Sequence, residues 1–267
     1  MKLFIKTASL LCLTVLITMF SLNFAYSNND IINLGKVSLI SGTVQIQRGE
    51  QADWLKLSFD DKINVGDKIK VAEESKLEIC YNDGNILRVT PNSELEIALE
   101  SIKLFNGQTW LRIVKVGSKF EVVAPTFVAG VRGTVFSVKA DAKNNKKSGA
   151  VKVWKGSVET KTAQKAVMVT EGLHTSIDEA IIADPMNFDP KSANEFSEGS
   201  WQASDTDTAY KRYINLLFSG IDSNLVSSNP ELKRQLEERK KLPEVDEAYN
   251  TYKNFSDAQA IENAINQ

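Results

Sequence analysis

The sequence predicts a mainly β fold, either an antiparallel sandwich or roll or a short β-solenoid, followed by a small helical C-terminal region. Two observations support this prediction. Between residues 35 and 182, short runs rich in Val, Ile and Thr alternate apolar with polar residues, and Gly, Asn or Asp turns separate them. After residue 208, apolar residues recur instead at the spacing of amphipathic helices.

The first 27 residues have the pattern of an export signal. Two lysines precede an uncharged and mostly apolar run at 8–22, and small residues follow at Ala25 and Ser27. We expect cleavage between Ser27 and Asn28, because the apolar run is shorter than the ~20 residues of a membrane-spanning helix. The processed chain would then have no transmembrane span and would be periplasmic or extracellular.

The run FEVVAPTFVAGVRGTVFSV, at residues 120–138, is the most strand-like stretch of the chain. Val131 and Phe136 fall on opposite parities of a regular strand. One extra residue, a β-bulge at Gly133, would turn both side chains to the same side. The sequence therefore predicts a bulged strand with a kink beside Gly133.

Glycines also separate most of the other strand-like runs. In each case a short polar turn lies between two alternating segments, which is the pattern of a β-hairpin. The glycines that predict such hairpins are Gly42, Gly84, Gly107, Gly156 and Gly172.

Composition changes divide the chain into four regions: an export signal at 1–27, a β domain at 28–182, a linker at 183–208 and a helical tail at 209–267. The linker is rich in Ser, Asn, Asp, Gly and Pro, and its aromatic residues are expected to dock it onto the β domain. In the tail we expect one amphipathic helix, then helices that start at Pro230 and Pro243, and a fourth short helix near the C-terminus.

Three segments in order, APTFVAGVRGTVFSV, VKVWKGSVET and VMVTEGLHTSI, resemble the secreted sensor module of the FecR family. The resemblance covers residues 35–177. It implies a mainly β extracytoplasmic module that binds something and either passes a signal or holds an assembly, and it brings no catalytic motif. Family members that regulate sigma factors carry a cytoplasmic helical domain and a membrane helix ahead of the module. An export signal stands in that place here, so we do not expect direct control of a sigma factor.

Four residues are candidates for binding: Trp110, Arg132, Thr134 and Trp154. The tryptophans either pack in the core or at its rim, or offer a stacking platform to a sugar or to a partner strand. Arg132 has a structural interpretation, in which it caps strand carbonyls or pairs with an acid, and a functional one, in which it binds a carboxylate ligand. Thr134 can likewise have a structural role in place of a binding role.

No pattern in the sequence points to catalysis. The single histidine, His174, lies on a terminal strand, and Cys80, the one cysteine after the signal, reads as a small buried strand residue. We expect no metal site and no cofactor. A net charge of −2 without a basic cluster argues against nucleic acid as a partner. The sequence thus predicts an exported non-catalytic binding module that contacts an envelope or secreted protein in signalling or assembly; the alternative is a cell-wall glycan-binding module.

Overall fold

The computed structural model describes residues 31–114, 119–142, 146–189, 196, 201, 206–222 and 224–265. The predicted export signal, with its cleavage point between Ser27 and Asn28, lies outside them. The described strands are β1 (Asn33–Ser41), β2 (Val44–Gln47), β3 (Leu55–Lys56), β4 (Lys62–Asn64), β5 (Lys68–Val71), β6 (Lys76–Tyr81), β7 (Ile86–Val89), β8 (Ser93–Ala98), β9 (Ser101–Arg112), β10 (Phe120–Val123), β11 (Val128–Val131), β12 (Val135–Asp141), β13 (Ser148–Lys155), β14 (Ser157–Lys161), β15 (Ala166–Thr170), β16 (Leu173–Asp178), β17 (Ile181–Ile182) and β18 (Met186–Asn187). The described helices are α1 (Thr206–Leu217), α2 (Pro230–Lys240) and α3 (Pro243–Ile265).

The strands form one mixed sheet that folds into two layers, which confirms the predicted mainly β fold class. The first layer, called the covered sheet, contains β1, β4, β6, β7, β12, β13 and β16 to β18. The second, called the open sheet, contains β2, β3, β5, β8, β10, β11, β14 and β15. β9 joins them, because its first half pairs with β8 and β10 and its second half with β7 and β12. The β9–β10 pair is parallel, and the other described pairs are antiparallel.

The hydrophobic core lies between the two layers. Leu77 and Ile79 of β6 enter it from the covered sheet, and Ile69 and Val71 of β5 enter it from the open sheet. At most 3% of the surface of any of these side chains is exposed. Full burial of such a side chain stabilises the fold by about 1.5–3 kcal/mol.

The chain passes repeatedly from one layer to the other, and a residue in the left-handed region marks each crossing that is fully described. Between β11 and β12 this residue is Gly133, with φ of 73°. Inside β9 it is Gly107, with φ of 100°. A positive φ turns the backbone sharply enough to leave one sheet and enter the next. The full set of crossing residues is Gly42, Asp60, Gly66, Glu74, Asn92, Gly107, Gly133, Gly156 and Gly172.

The break at Gly133 differs from the predicted bulge. The segment does not continue as one kinked strand, because β11 pairs within the open sheet and β12 within the covered sheet. Val131 and Phe136 nevertheless enter the same core, as the sequence predicted. The extra residue of the predicted bulge is therefore part of the connection that carries the chain from the open sheet to the covered sheet.

Most of the glycine turns predicted as hairpins are also crossings. The hairpin at Gly84 is confirmed, since β6 pairs with β7. At the other sites the flanking runs are not hairpin partners; β14, for example, pairs with β11 and β15 and not with the preceding β13. Crossings replace the predicted hairpins at Gly42, Gly107, Gly156 and Gly172.

The helices begin close to the predicted positions. Asn229 caps α2, and its side-chain oxygen accepts hydrogen bonds from the N–H groups of Glu231 and Leu232 at 3.0 and 3.3 Å. α3 starts at Pro243 and continues to Ile265, so the predicted fourth helix is the end of α3 and not a separate element. In the part of the chain that the structure describes, no helix combines the length and apolar character needed to cross a membrane.

Candidate functional site

Aromatic rings cover the outer face of the covered sheet. Trp110 projects from β9, and the Phe196 ring stacks on it with 6.5 Å between centroids. Trp201 stacks on Phe196 at 6.2 Å. The guanidinium of Arg88 lies 5.0 Å from the Trp110 ring and 5.3 Å from the Trp201 ring, within cation–π range. Aromatic residues of the predicted linker thus dock on the β domain, and Trp201 has no exposed surface.

A buried carboxylate, Glu78 of β6, lies at the centre of this face. Arg88 of β7 donates to it at 2.8 Å, and Arg212 of α1 donates to both of its oxygens at 3.0 and 3.1 Å. Ser38 of β1 adds a hydrogen bond at 2.9 Å. Burial by itself would raise the pKa of Glu78, but the two guanidinium groups outweigh it and lower that pKa to about 2. Glu78 is therefore an ionised anchor that joins the sheet to the helices.

A second carboxylate, Glu247 of α3, completes this cluster. It faces Arg88 at 3.4 Å and Arg212 at 3.8 Å. Burial raises the pKa of Glu247 more than the two arginines lower it. Two arginines and two glutamates balance in charge, so the cluster can be buried without a net charge. We call Glu78, Arg88, Arg212 and Glu247 the arginine–glutamate cluster.

A further ion pair ties the start of α3 to the sheet. Arg112 at the end of β9 pairs with Glu244 in the first turn of the helix. Burial lowers the pKa of Arg112 to about 10, and the nearby positive charge of Arg88 acts in the same direction. A carboxylate in the first turn also suits the positive end of the helix dipole. α3 is therefore held at its N-terminus and again one turn later.

The segment after α1 approaches the backbone of the covered sheet closely. The Ser219 hydroxyl donates to the carbonyl of Tyr81, and Arg239 donates to the carbonyl of Ser219. Gly220 has φ of 63°, and a Cβ there would lie 1.9 Å from the carbonyl oxygen of Asn82. Only glycine permits this approach.

Cys80 faces the same covered surface. Its thiol is buried, as predicted, and burial raises its pKa to about 12. Its sulfur lies 3.7 Å from the carbonyl oxygen of Asn215 in α1. A thiol in this setting stays protonated and acts as a small packed side chain.

The predicted binding residues do not form one site. Trp110 is 7% exposed beneath Phe196, so it packs inside the molecule. Thr134 is 2% exposed, and its hydroxyl donates to the carbonyl of Ser157 at 3.0 Å, which supports the structural interpretation. Arg132 is exposed in the bend between β11 and β12.

Trp154 lies on the same face of the covered sheet as Trp110, with β12 between their strands. It is half-buried, and the ring of Phe188 meets its ring edge-on at 5.4 Å. Phe188 also meets His174 edge-on at 6.3 Å. His174 is thus part of an aromatic contact, and within the described ranges no group of His, Cys, Asp and Glu is placed to hold a metal ion.

Two open cavities lie outside the helix-covered area. One, of about 450 Å³, has Trp201, Lys76 and Lys139 in its wall. The other, of about 410 Å³, lies on the open sheet around the turn that contains Pro125 and Thr126. We call the second the Pro125 cavity. Both are concave and mixed in polarity, which suits contact with a polar chain.

Sequence reasoning missed the arginine–glutamate cluster. A signal was present, because Glu78 in KLEICY and Arg88 in ILRV are charged residues at strand positions flanked by apolar ones. Arg212 likewise falls between the apolar positions of the first tail helix. Nothing in the sequence could pair them, since Arg212 and Glu78 are 134 residues apart.

Comparisons with known proteins bear on the β domain. Residues 67–159 match the family model described as FecR protein, which confirms the predicted resemblance for that segment. No curated protein matches the chain. Two matching crystal structures are of candidate anti-sigma factors from Parabacteroides distasonis. The first, at 1.65 Å resolution, is 17% identical with a TM-score of 0.41 and covers 46% of this chain and 61% of its own. The second, at 2.50 Å, is 16% identical with a TM-score of 0.44 and covers 65% of this chain and 89% of its own.

Proposed function

We propose that this chain is an exported, non-catalytic binding module that acts through protein–protein contact in envelope signalling or assembly. The FecR match over residues 67–159 supports a regulatory role in signalling. The pattern of residues 1–27 supports export. The surface we assign to the partner is the Pro125 cavity.

The observation that carries this assignment is the position of the family-like run. Residues 124–138, APTFVAGVRGTVFSV, begin at the rim of the Pro125 cavity. The turn is rigid, because the Ala124 N–H donates to the Phe127 carbonyl at 2.9 Å and the Phe127 side chain is buried. Phe127 packs so closely that a Cβ on Gly149 would lie 2.3 Å from its ring. A rigid, exposed rim lowers the entropic cost of binding.

Charged side chains of both signs line the cavity. Lys119 pairs with Glu121 at 2.5 Å, and Lys161 pairs with Glu159 at 2.8 Å. All four are partly exposed, so each pair contributes about 0–1 kcal/mol and can exchange partners at little cost. A partner segment with alternating charges could therefore form ion pairs with both the lysines and the glutamates of this surface.

Photo-crosslinking in the native cell tests this assignment. A photoreactive residue at Thr126, in the cavity wall, should capture a reproducible protein from the exported fraction. The same residue at Ser58, exposed in the turn after β3, should not. Glu121→Lys with Glu159→Lys should abolish the capture, and Glu94→Lys, on the same sheet but outside the cavity, should leave it intact. The same bands at both positions, or none at Thr126, would contradict the proposal.

Export needs a separate experiment. The purified chain should begin at Asn28 by mass spectrometry and should be recovered outside the cytoplasm. A chain of full mass in the cytoplasmic fraction would contradict export. The assignment of the Pro125 cavity as the contact surface would then still depend on the crosslinking experiment.

No observation favours the glycan alternative. It relies on tryptophan platforms, and Trp110 is buried under Phe196 while Trp154 is half-buried against Phe188. Sedimentation with purified cell wall that is lost in Trp154→Ala would restore this alternative.

A further inference from the structure

The edge strand β15 of the open sheet has one side without a described partner. It pairs with β14 on its other side. The Thr162 N–H donates to the Lys165 carbonyl at 2.9 Å, and the Glu171 N–H donates to the Gly156 carbonyl at 3.0 Å. These two bonds fix the parity of the strand, because the residues whose backbone groups face β14 alternate with those that face away. The backbone groups of Ala166, Met168 and Thr170 therefore point outward from the sheet edge.

β15 lacks the features that usually protect an edge strand. Its sequence, AVMVT, has no proline and no charge, and its register with β14 is regular. The Met168 side chain is 54% exposed. Regular, uncharged and exposed edges are templates for pairing with another strand.

The residues around Met168 are complementary to themselves. In an antiparallel pair of two β15 strands with Met168 on the two-fold axis, Ala166 lies opposite Thr170 and Lys165 lies opposite Glu171. The outward backbone groups would then form hydrogen bonds across the axis. Opposite charges directly across two strands are favourable, and this pair occurs twice in a symmetric dimer.

We propose that a second copy of this chain pairs with β15, so that two open sheets join into one across a two-fold axis at Met168. The two Met168 side chains meet on the exposed face, and Val167 and Val169 of each copy extend the apolar inner face. Within one chain Lys165 pairs with Asp184 at 2.8 Å, but that pair is exposed and weak, so Lys165 can also reach Glu171 of the second copy. A single strand pair is a small interface, so we expect dimerisation that depends on concentration. This inference does not rest on the proposed function.

Analytical ultracentrifugation of the purified chain across micromolar concentrations tests the proposal. The wild type should shift from monomer to dimer as concentration rises. Met168→Lys places two ammonium groups on the axis and should raise the dissociation constant about tenfold or more. The control is Met186→Lys on β18, where the methionine is also 54% exposed, and it should dimerise as the wild type does.

A charge exchange tests the register. Lys165→Glu and Glu171→Lys should each weaken the dimer, and the double variant should restore it. Asp184→Ala removes only the pair between Lys165 and Asp184 and should have no effect on dimerisation.

A disulfide tests the position of the two-fold axis. Met168→Cys should form an oxidised dimer, because Cα atoms of a hydrogen-bonded antiparallel pair are about 5.5 Å apart, within the range of a disulfide. Three outcomes would overturn the proposal. The wild type could stay monomeric at every concentration, or Met168→Lys could leave the dimer unchanged. The third outcome is a monomeric wild type that binds a different protein and loses that protein in Met168→Lys.

Discussion

Arg212 of α1 donates hydrogen bonds to both carboxylate oxygens of Glu78 in β6, at 3.0 and 3.1 Å, and neither side chain has any exposed surface. Glu78 belongs to the segment that matches the FecR family, and Arg212 lies outside it. The contact therefore joins the family-like sheet to a helix that the family model does not cover. Since burial of both charges costs desolvation energy, we infer that this pair serves mainly to fix where α1 docks.

Removal of the buried charge should destabilise the whole body. We expect Glu78→Gln to lower the free energy of unfolding by about 3–5 kcal/mol, because Arg88 and Arg212 would stay buried with Glu247 as their one remaining counter-charge. Urea denaturation measures this loss. Glu94→Gln breaks an exposed pair with Lys70 and should cost at most about 1 kcal/mol. Equal effects of the two substitutions would refute the central role of Glu78.

Acidification should reveal the same group. The folded state holds the pKa of Glu78 at about 2, below its ordinary value of 4.5. Its stabilisation is therefore present above pH 4.5 and is lost as pH falls from 4.5 towards 2, by on the order of 3 kcal/mol. Glu247 has a raised pKa and acts in the opposite direction, so its contribution falls as pH rises above 4.5.

Comparison with Glu78→Gln tests the first effect, because the variant lacks this carboxyl group. Since the charge of Glu78 also raises the pKa of Glu247, the comparison is made below pH 4.5. The difference in unfolding free energy between wild type and variant should shrink as pH falls from 4.5 towards 2. A difference that does not depend on pH would show that Glu78 is not ionised in the fold.

The sequence predicted the β class, the buried Cys80 and the helix start at Pro243. Each depends on neighbouring residues: the alternation of apolar and polar side chains, the apolar residues around Cys80, and the fixed φ of proline. The sequence did not predict which strands pair. Gly107 and Gly84 look alike as turn residues, yet one marks a layer crossing within β9 and the other closes a hairpin. A positive φ is a local property, whereas the sheet that the next strand joins depends on distant partners. Arg212 and Glu78 were missed for the same reason.

Trp201 should hold the tail onto the sheet. Trp201→Ala removes a fully buried side chain from the aromatic stack and should cost about 3–5 kcal/mol. Limited proteolysis should then cut within α1 to α3 before the sheet is digested. Trp54→Ala is the control, because Trp54 is only half-buried and lies under Lys70 on the open sheet. A protease pattern identical to that of wild type would contradict this role.

Cys80 should be unreactive while the fold is intact. Its pKa is raised to about 12 by burial, so almost no thiolate exists at neutral pH. A thiol-specific colorimetric reagent should react slowly with a native chain that begins at Asn28, where Cys80 is the one cysteine, and at once in denaturant. Because Cys80 faces α1, Trp201→Ala should raise the native rate if the tail loosens. Fast reaction in the wild-type native chain would contradict the docked arrangement of α1.

A side chain at the crossing inside β9 should be poorly tolerated. A Cβ on Gly107 would lie 2.5 Å from the Cα of Ser93, and φ there is 100°. Gly107→Ala therefore adds a backbone clash to the strain of positive φ, and we expect it to lower the free energy of unfolding by about 3 kcal/mol or more. Gly49→Ala is a matched control, because Gly49 also has positive φ, 51°, but nothing lies within 4 Å of its Cβ position. It should cost about 1–2 kcal/mol, the strain alone. Equal losses in thermal or urea denaturation would show that close packing at the layer crossing contributes nothing beyond backbone conformation.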